Sequence, residues 1–536
     1  MVNLFKKVFE ERALFRLAAI FLTVLALAEV FALVIYREMW VDEIFSAFKS
    51  YLYLAGELTP FKSGLFEYPP LVIPTYGFVQ YLFGPSILAG RALSAALFLL
   101  GLFLVFLFVK KLAGRLPAYL TAALILSNVL LVGNFVSATM YSLMFVLGML
   151  ILFVELGGWK RDAKVAASGV LIGLMILGRT NMITMFVGYA VFLLIIAEEK
   201  RFQKILLLSS VSLSVVVLGY LPLLIYNFDL AVAYILSPFG NFGPLSSLPA
   251  SSKVGSHSIL RFLEALHGFL REYYGFILAF FSTVAYVLWQ EKASLLKFCR
   301  EERPYVLSVV LSVVLVVSHY FYWRIVSNTY YANYFIYLMA IAAVISVWRF
   351  LDEKKFAKLL LTGLLLLNVF INIYRTDVIS DPRSESDIER VSRGADFLAA
   401  NTGSEDKILA FDNSVIHVYK ADRRTFAPLI NRDFLFMADS DTEKIRPLGF
   451  YNFEMIKDWA ENDADYIAIH EERWSLQFVR LRFWDVQSED MKNAALEFRN
   501  ILDERYVLVG SVLNVYPRKY TEGNDGGTLL LYKRKL

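Results

Sequence analysis

The chain holds one cysteine, Cys299, in 536 residues. No internal disulfide framework can form, and a lone thiol leaves the redox compartment open. There is no G-x-x-x-x-G-K-[ST] phosphate loop and no strand-linked G-x-G-x-x-G, so ATP-driven transport and dinucleotide chemistry have no sequence basis. The net charge is only +4, which says nothing for nucleic acid. Charge is also scarce inside the apolar runs, where Glu29 is the one clear carboxylate near mid-depth. A secondary transporter or flippase needs several such charges and often two matching halves, and no such halves are evident. Glutamine is scarce beside Lys, Arg and Glu, a composition associated with heat adaptation.

Apolar surface is what the chain has in excess. It is 57% hydrophobic with a mean hydropathy of +0.54, more than a soluble protein of this size needs. Spanning-length apolar runs fall at roughly 15–36, 86–109, 117–136, 139–157, 163–178, 181–197, 204–227, 269–290, 304–322, 330–350 and 356–376. Each is long enough, or nearly so, to cross a bilayer as a helix. The first is too long for a secretory signal and lacks a small-residue cleavage site, so it reads as a retained helix. The last 160 or so residues are charged and hold no such run. The sequence therefore predicts a polytopic α-helical membrane domain over 1–376, of about eleven spans, and a soluble α/β domain over 377–536.

Cationic clusters set the orientation. Lys6, Lys7, Arg12 and Arg16 precede the first span; later clusters include Lys110, Lys111 and Arg115, then Lys160, Arg161 and Lys164, then Lys354, Lys355 and Lys358. With eleven spans all fall on one side, which the positive-inside rule makes cytoplasmic. The N-terminus is then inside and the C-terminal domain outside the cell membrane. This count requires that YPPLVIPTYGFVQYLFG, residues 68–84, does not cross. Its three early prolines remove backbone donors, and it reads as a short helix at the outer interface.

On that outer face lies WVDEIFSAFKSYLY, residues 40–53. Ile44, Phe45, Phe48, Tyr51 and Leu52 recur at helical spacing, as in an interfacial helix over 43–56. Asp42 can be its N-cap. It can equally be a base, because a carboxylate at a lipid–water boundary is partly desolvated and its pKa tends to rise. A third carboxylate, Glu67, returns to the membrane near Lys62.

The acidic pair after the first span, the G-x-L-T-P of residues 56–60, the F-E-Y-P-P-L of 66–71 and GVLIGLMILGRTNM, 169–182, together resemble the GT-C membrane glycosyltransferases. The similarity is greatest to protein O-mannosyltransferases and to the aminoarabinose transferases of lipid A. It is good over residues 15–200, loose to about 376 and slight beyond. It implies transfer of one hexosyl or pentosyl unit from a polyprenyl (dolichyl-type) phosphate to a protein, lipid or glycan acceptor outside the cytoplasm. Asp42 matches the family's general base, and Glu43 the neighbour that orients it or the acceptor. Glu67 matches a metal ligand. Tyr68 stands where the aminoarabinose transferases have a lysine reaching the donor phosphate, and GNFVSATMYSLMF, 133–145, lacks the aspartate that would be a second ligand. The expectation is that no metal is required, with a divalent ion conceivable only through Glu67.

A lipid phosphate that leaves with negative charge needs outer cations. Candidates are Arg324, set among Tyr320, Tyr322, Trp323, Tyr330 and Tyr331; Arg179 at the end of a span; and Lys253, His257 and Arg261 in one loop. The alternatives are an interfacial anchor for each arginine near a span end and a solvated loop for the last three. Lys62, Glu67, Tyr68, Tyr330 and Tyr331 are the candidate substrate contacts. The oligosaccharyltransferase signature W-W-D-Y-G is absent, which argues against transfer of a whole glycan, and Asp439-Ser440-Asp441 reads as a chance D-x-D. In the soluble domain, DIERVSRGADFLAANT and FEMIKDWAEN read as helices, KILAFDN and ADYIAIH as strands, and the two segments flanking GNDGG as a hairpin.

Overall fold

The computed structural model describes residues 20–21, 23–36, 43, 50–51, 54, 70–196, 200–226, 228, 277–292, 294–321, 336–351, 361–367, 369, 386–410, 414–426, 453–471, 489–516 and 527–535. Helix α1 is Thr23–Tyr36. A π-turn, Ile73–Gly77, runs into α2, Phe78–Phe83. Then come α3 (Ile87–Ala113), α4 (Arg115–Leu126), α5 (Val129–Val136), α6 (Tyr141–Leu156), α7 (Arg161–Gly178), α8 (Ile183–Ile195) and α9 (Arg201–Tyr226). After these follow α10 (Ile277–Gln290), α11 (Leu295–Glu301), α12 (Arg303–Phe321) and α13 (Ile336–Ile345), and then α14 over 361–367.

Local chemistry sets the breaks. Gly84, at φ 75°, separates α2 from α3, and Ser86 caps α3 by accepting from the Ala89 N–H at 3.3 Å. Gly114, at φ 100°, takes a conformation that a side chain would resist and turns the chain into α4. The run expected as one span over 117–136 is two helices, because the Asn128 side chain accepts from the Leu131 N–H at 3.0 Å and starts α5 afresh. Residues 72–83 form the short helix expected of YPPLVIPTYGFVQYLFG.

Among the described residues two helices, α3 and Arg201–Pro222 of α9, are long and apolar enough to cross a bilayer, and seven shorter apolar helices accompany them. Their outer faces expose large apolar side chains, including Leu100, Phe103, Leu206, Leu213 and Leu218. Surfaces of this kind suit lipid rather than water. Packing between helices is close. A Cβ on Gly173 of α7 would stand 2.6 Å from that of Val215 on α9, so glycine is what lets these two backbones approach. Phe98, Phe135, Phe145 and Tyr337 form a chain of ring contacts, with centroids 4.6–5.4 Å apart, that ties α3, α5, α6 and α13 together.

The remaining described residues build a four-stranded mixed sheet with helices. In chain order these are α15 (Asp387–Asn401), β1 (Ile408–Ala410), α16 (Val415–Lys420), α17 (Phe453–Asp458), β2 (Tyr466–His470), α18 (Glu489–Arg505), β3 (Tyr506–Leu513) and β4 (Thr528–Arg534). The strand order is β1-β2-β4-β3; β1 and β2 are parallel and the other pairings antiparallel. Ser386 and Glu389 form a reciprocal capping box at the start of α15. Successive strand residues serve opposite faces: Ile408, Ala410, Tyr466 and Ala468 pack with α15 and α16, while Leu409, Ile467 and Ile469 pack with α17 and α18. Both faces are covered, which is why ADYIAIH reads as an unbroken apolar run. The α15–α16 layer also reaches the helical bundle, sharing a core with Ile87 and, in part, Tyr51 and Ile73.

Candidate active site

The acidic stretch reaches the described residues through Glu43. Its side chain is fully buried within the protein. Arg91 grips it through both oxygens: Nε to Oε1 and Nη2 to Oε2, each at 2.9 Å. Arg91 is itself fully buried, on the second turn of α3. The backbone N–H of Ala138 donates to Glu43 Oε1 at 2.8 Å, and Arg91 Nη1 donates to the Val34 carbonyl at 3.1 Å. Such a charge cannot sit in an apolar core without partners this close. One ion pair thereby joins the end of α1, the residue after Asp42, the start of α3 and the turn before α6.

That turn is held from a second side. Tyr76, on the π-turn before α2, donates to the Thr139 carbonyl and meets Ser94 Oγ at 2.6 Å. Gly90 lies against it, where a Cβ would come within 2.8 Å of the Ala138 methyl. Gln80 of α2 is also fully buried. Its Nε2 donates to the Ser86 carbonyl at 2.7 Å, and its Oε1 accepts from the Ser86 N–H and from Tyr419 of α16, both at 2.6 Å. The sheet layer is thus bonded to the end of the bundle that carries Glu43.

Arg179 is at the same end. Its backbone leaves α7 in extended form, at φ −158°, and its N–H donates to the Met175 carbonyl at 2.8 Å. The half-buried guanidinium lies over the Tyr141 ring, 4.7 Å from the centroid. The Leu71 N–H donates to the Leu177 carbonyl at 3.1 Å, which fixes the α7 end beside the short helix.

Asp42, Lys62, Glu67, Tyr68, Lys253, His257, Arg261, Arg324, Tyr330 and Tyr331 lie outside the described residues. Glu29 is half-buried, and its Oε1 has no hydrogen-bond partner. Arg91 was not among the residues singled out from sequence. Its one signal is an arginine inside an otherwise apolar run, a position that demands a buried acid.

Glu67, to which the family resemblance attaches a metal, lies outside the described residues. The turn Ser137–Met140 carries no carboxylate. The carboxylate that does reach it, Glu43, has both oxygens on Arg91. Among the described residues no group of three His, Cys, Asp or Glu side chains converges.

Among curated proteins none matches the sequence. Residues 67–226 match the family described as dolichyl-phosphate-mannose-protein mannosyltransferase. Among solved structures the chain is similar to ArnT from Cupriavidus metallidurans bound to undecaprenyl phosphate, with a TM-score of 0.58 and 13% identity over 96% of this chain and 97% of that one. The apo form of the same protein gives 0.55 and 12% over the same shares. The apo oligosaccharyltransferase of Archaeoglobus fulgidus gives 0.51 and 11% over 88% of this chain and 72% of that one. At these identities the likeness is one of fold. In that fold, and in the sequence of its residues 67–226, the chain resembles the GT-C membrane glycosyltransferases.

Proposed function

We propose that the protein is an integral membrane glycosyltransferase that moves one sugar from a polyprenyl phosphate to an acceptor hydroxyl on the extracytoplasmic side. Asp42 takes the acceptor's proton. The acceptor oxygen then bonds to the anomeric carbon, and the bond from that carbon to the phosphate oxygen breaks. The carrier leaves as polyprenyl phosphate, its charge held by Arg324, Arg179 and the Lys253–His257–Arg261 loop. Lys62, Glu67, Tyr68, Tyr330 and Tyr331 contact substrate. Glu43 is a positioning residue and not a second base, since a carboxylate closed by Arg91 has no oxygen to offer a substrate proton.

The observation that carries this reading is the buried Glu43–Arg91 pair with its third bond to Ala138. It fixes the chain immediately beside Asp42 at one end of the bundle. A reactive carboxylate needs placement within a fraction of an ångström of its target. The undecaprenyl phosphate in the similar ArnT structure supports a lipid-phosphate carrier. The transporter alternative wants charge at mid-depth, whereas the buried ion pairs among the described residues lie at the two ends of the bundle.

The test is Asp42→Asn in purified protein supplied with radiolabelled polyprenyl-phosphate sugars. Asparagine keeps the shape and can still cap a helix, but it cannot take a proton. A positioned base contributes about 10²–10⁴-fold, so transfer should fall by that factor while the melting temperature holds. Near-normal transfer by a stable variant would sink the mechanism.

A further inference from the structure

The end of the bundle that carries Glu155 is tied together by contacts between helix termini. Arg161, which closes Glu155, lies over the Phe192 ring of α8, 5.4 Å from its centroid. Just past α8, the Ile196 carbonyl accepts from Arg300 Nε of α11 at 3.1 Å, and the Arg300 carbonyl accepts from Arg303 Nε at 2.9 Å. Arg349, in the π-turn Ser346–Phe350 after α13, donates to Glu302 Oε1 at 2.6 Å and to the Leu112 carbonyl near the end of α3 at 3.1 Å. The termini of α3, α6, α7, α8, α11, α12 and α13 therefore share one surface.

That surface is cationic. Lys110, Lys111 and Arg115 stand exposed where α3 turns into α4, Lys160 before α7, and Lys200 and Arg201 at the start of α9. Among the described residues of this end the exposed acids are Asp162 and Glu301, and Glu301 already meets Lys297 at 3.9 Å. The surface is also aromatic. Trp159, Phe202 and Trp289 are 60%, 69% and 62% exposed. Arg201 lies over the Phe202 ring, 5.3 Å from its centroid, and Lys292 over the Trp289 ring at 5.9 Å. Behind these rings α9 continues into exposed Leu206 and Leu213, and α10 carries exposed Leu278, Phe281 and Leu288.

The two features together select a partner. A soluble phosphate would answer the cations and leave the rings in water. A protein would cover one patch, whereas the rings stand at three helix junctions and lead into apolar flanks. An anionic phospholipid answers both, with its headgroup on Lys and Arg and its interfacial layer around Trp and Phe. Cations of this kind direct a chain during insertion; on the folded protein they remain as a binding surface.

We infer that the Glu155 end is a docking surface for anionic phospholipid headgroups, gripped by Lys110, Lys111, Arg115, Lys160, Lys200 and Arg201, with Trp159, Phe202 and Trp289 seated at the lipid interface. The surface lies opposite the Glu43 end, so lipid composition governs stability there independently of the transfer chemistry.

The experiment places the full chain in nanodiscs of phosphatidylcholine alone or mixed with phosphatidylglycerol. It reads the melting temperature and the ratio of the two lipids that the purified protein retains. Wild type should melt higher in the mixed discs and retain phosphatidylglycerol in excess of its share. One Lys or Arg near an anionic surface is worth about fivefold in affinity, so Lys110→Gln/Lys111→Gln and Lys200→Gln/Arg201→Gln should each lose at least about fivefold of that excess. Their melting in phosphatidylcholine alone should match wild type. The excess should also shrink as salt is raised, because exposed charges are screened. Wild type that shows no excess overturns the surface, and so do variants that keep it. Variants that melt lower by the same amount in both discs make these cations structural. An equal rise in melting temperature from glycerol phosphate added to phosphatidylcholine discs assigns the cations to a soluble phosphate instead. Lys160→Gln, a single exposed change, supplies the decision if a double variant fails to fold.

Discussion

The bundle has a fully buried carboxylate at each end, each closed by an arginine. At one end Glu43 meets Arg91, 48 residues away, and the Ala138 N–H, 95 away. At the other, Glu155 accepts from Arg161 Nη1 at 2.6 and 2.8 Å, only six residues on, and from the Tyr189 hydroxyl at 2.5 Å. Lys164 donates to the Glu155 carbonyl at 2.8 Å. The chemistry is the same and the reach differs. The Glu155 pair staples the turn between α6 and α7, a local task. The Glu43 pair holds four distant segments around the residue beside Asp42. One ion pair fastens a hairpin, and the other assembles the place where the proposed chemistry occurs.

Replacing each arginine breaks the comparison open. Arg91→Ala leaves Glu43 buried without its main partner and should destabilise by about 3–5 kcal/mol. Arg161→Ala should cost less, because the Arg161 side chain is 12% exposed and Tyr189 stays on the acid. The stronger contrast is in turnover by the protein that does fold. Loss of placement at a reacting group can cost about 100-fold, so Arg91→Ala should lose transfer by that order while Arg161→Ala keeps it. The double changes Glu43→Leu/Arg91→Leu and Glu155→Leu/Arg161→Leu should each recover stability, since apolar pairs can replace buried ion pairs. Only the second should recover activity. Melting curves with initial rates on the folded fraction decide it, and equal activity in the two doubles would erase the distinction between the ends.

These two ends also divide what was legible in the sequence. Apolar runs announced the long helices, and an unbroken run announced β2. The break at Asn128 was missed because its capping side chain sits inside a stretch that is otherwise apolar. Helix α18 was missed because its sequence is largely polar. The spacing of Ile44, Phe45 and Phe48 marks an interfacial helix beginning at Glu43 but not what the Glu43 side chain meets. Nothing local announces an arginine 48 residues on as its partner. The Glu155–Arg161 pair, six residues apart, was within reach of sequence pattern; the Glu43–Arg91 pair needed the fold.

The layer that covers the Glu43 end brings a pH sensitivity. His417 of α16 is fully buried, and its Nδ1 faces the Val391 carbonyl at 3.3 Å. Its Nε2 has no hydrogen-bond partner, and burial pushes the imidazole down to about 4. A histidine with a depressed folded pKa binds its proton more readily unfolded. Its contribution is complete above the unfolded value near 6.5 and is lost as pH falls through that value toward 4. Full loss amounts to about 3 kcal/mol. Melting of the wild type should weaken over that window more than melting of His417→Phe. Parallel pH curves for the two proteins would remove His417 as the cause.

The smallest expected effect tests whether this layer does more than cover the site. Tyr419→Phe removes only the hydroxyl that donates to Gln80 Oε1. Gln80 keeps its two bonds to Ser86, so the loss is confined to the bonding of one buried hydroxyl, about 1 kcal/mol. If the layer is a cap, the melting temperature should drop by a few degrees and turnover by less than about tenfold, with the Michaelis constant for the donor unchanged. Gln80→Leu should cost more, because it also removes the acceptor of the Ser86 amide and the donor to its carbonyl. The outcome that would redraw the comparison is a Tyr419→Phe protein of normal stability whose turnover falls about 100-fold. Glu43 and Arg91 would then share the work of placement with α16, and the sheet would belong to the proposed active site rather than lie on top of it.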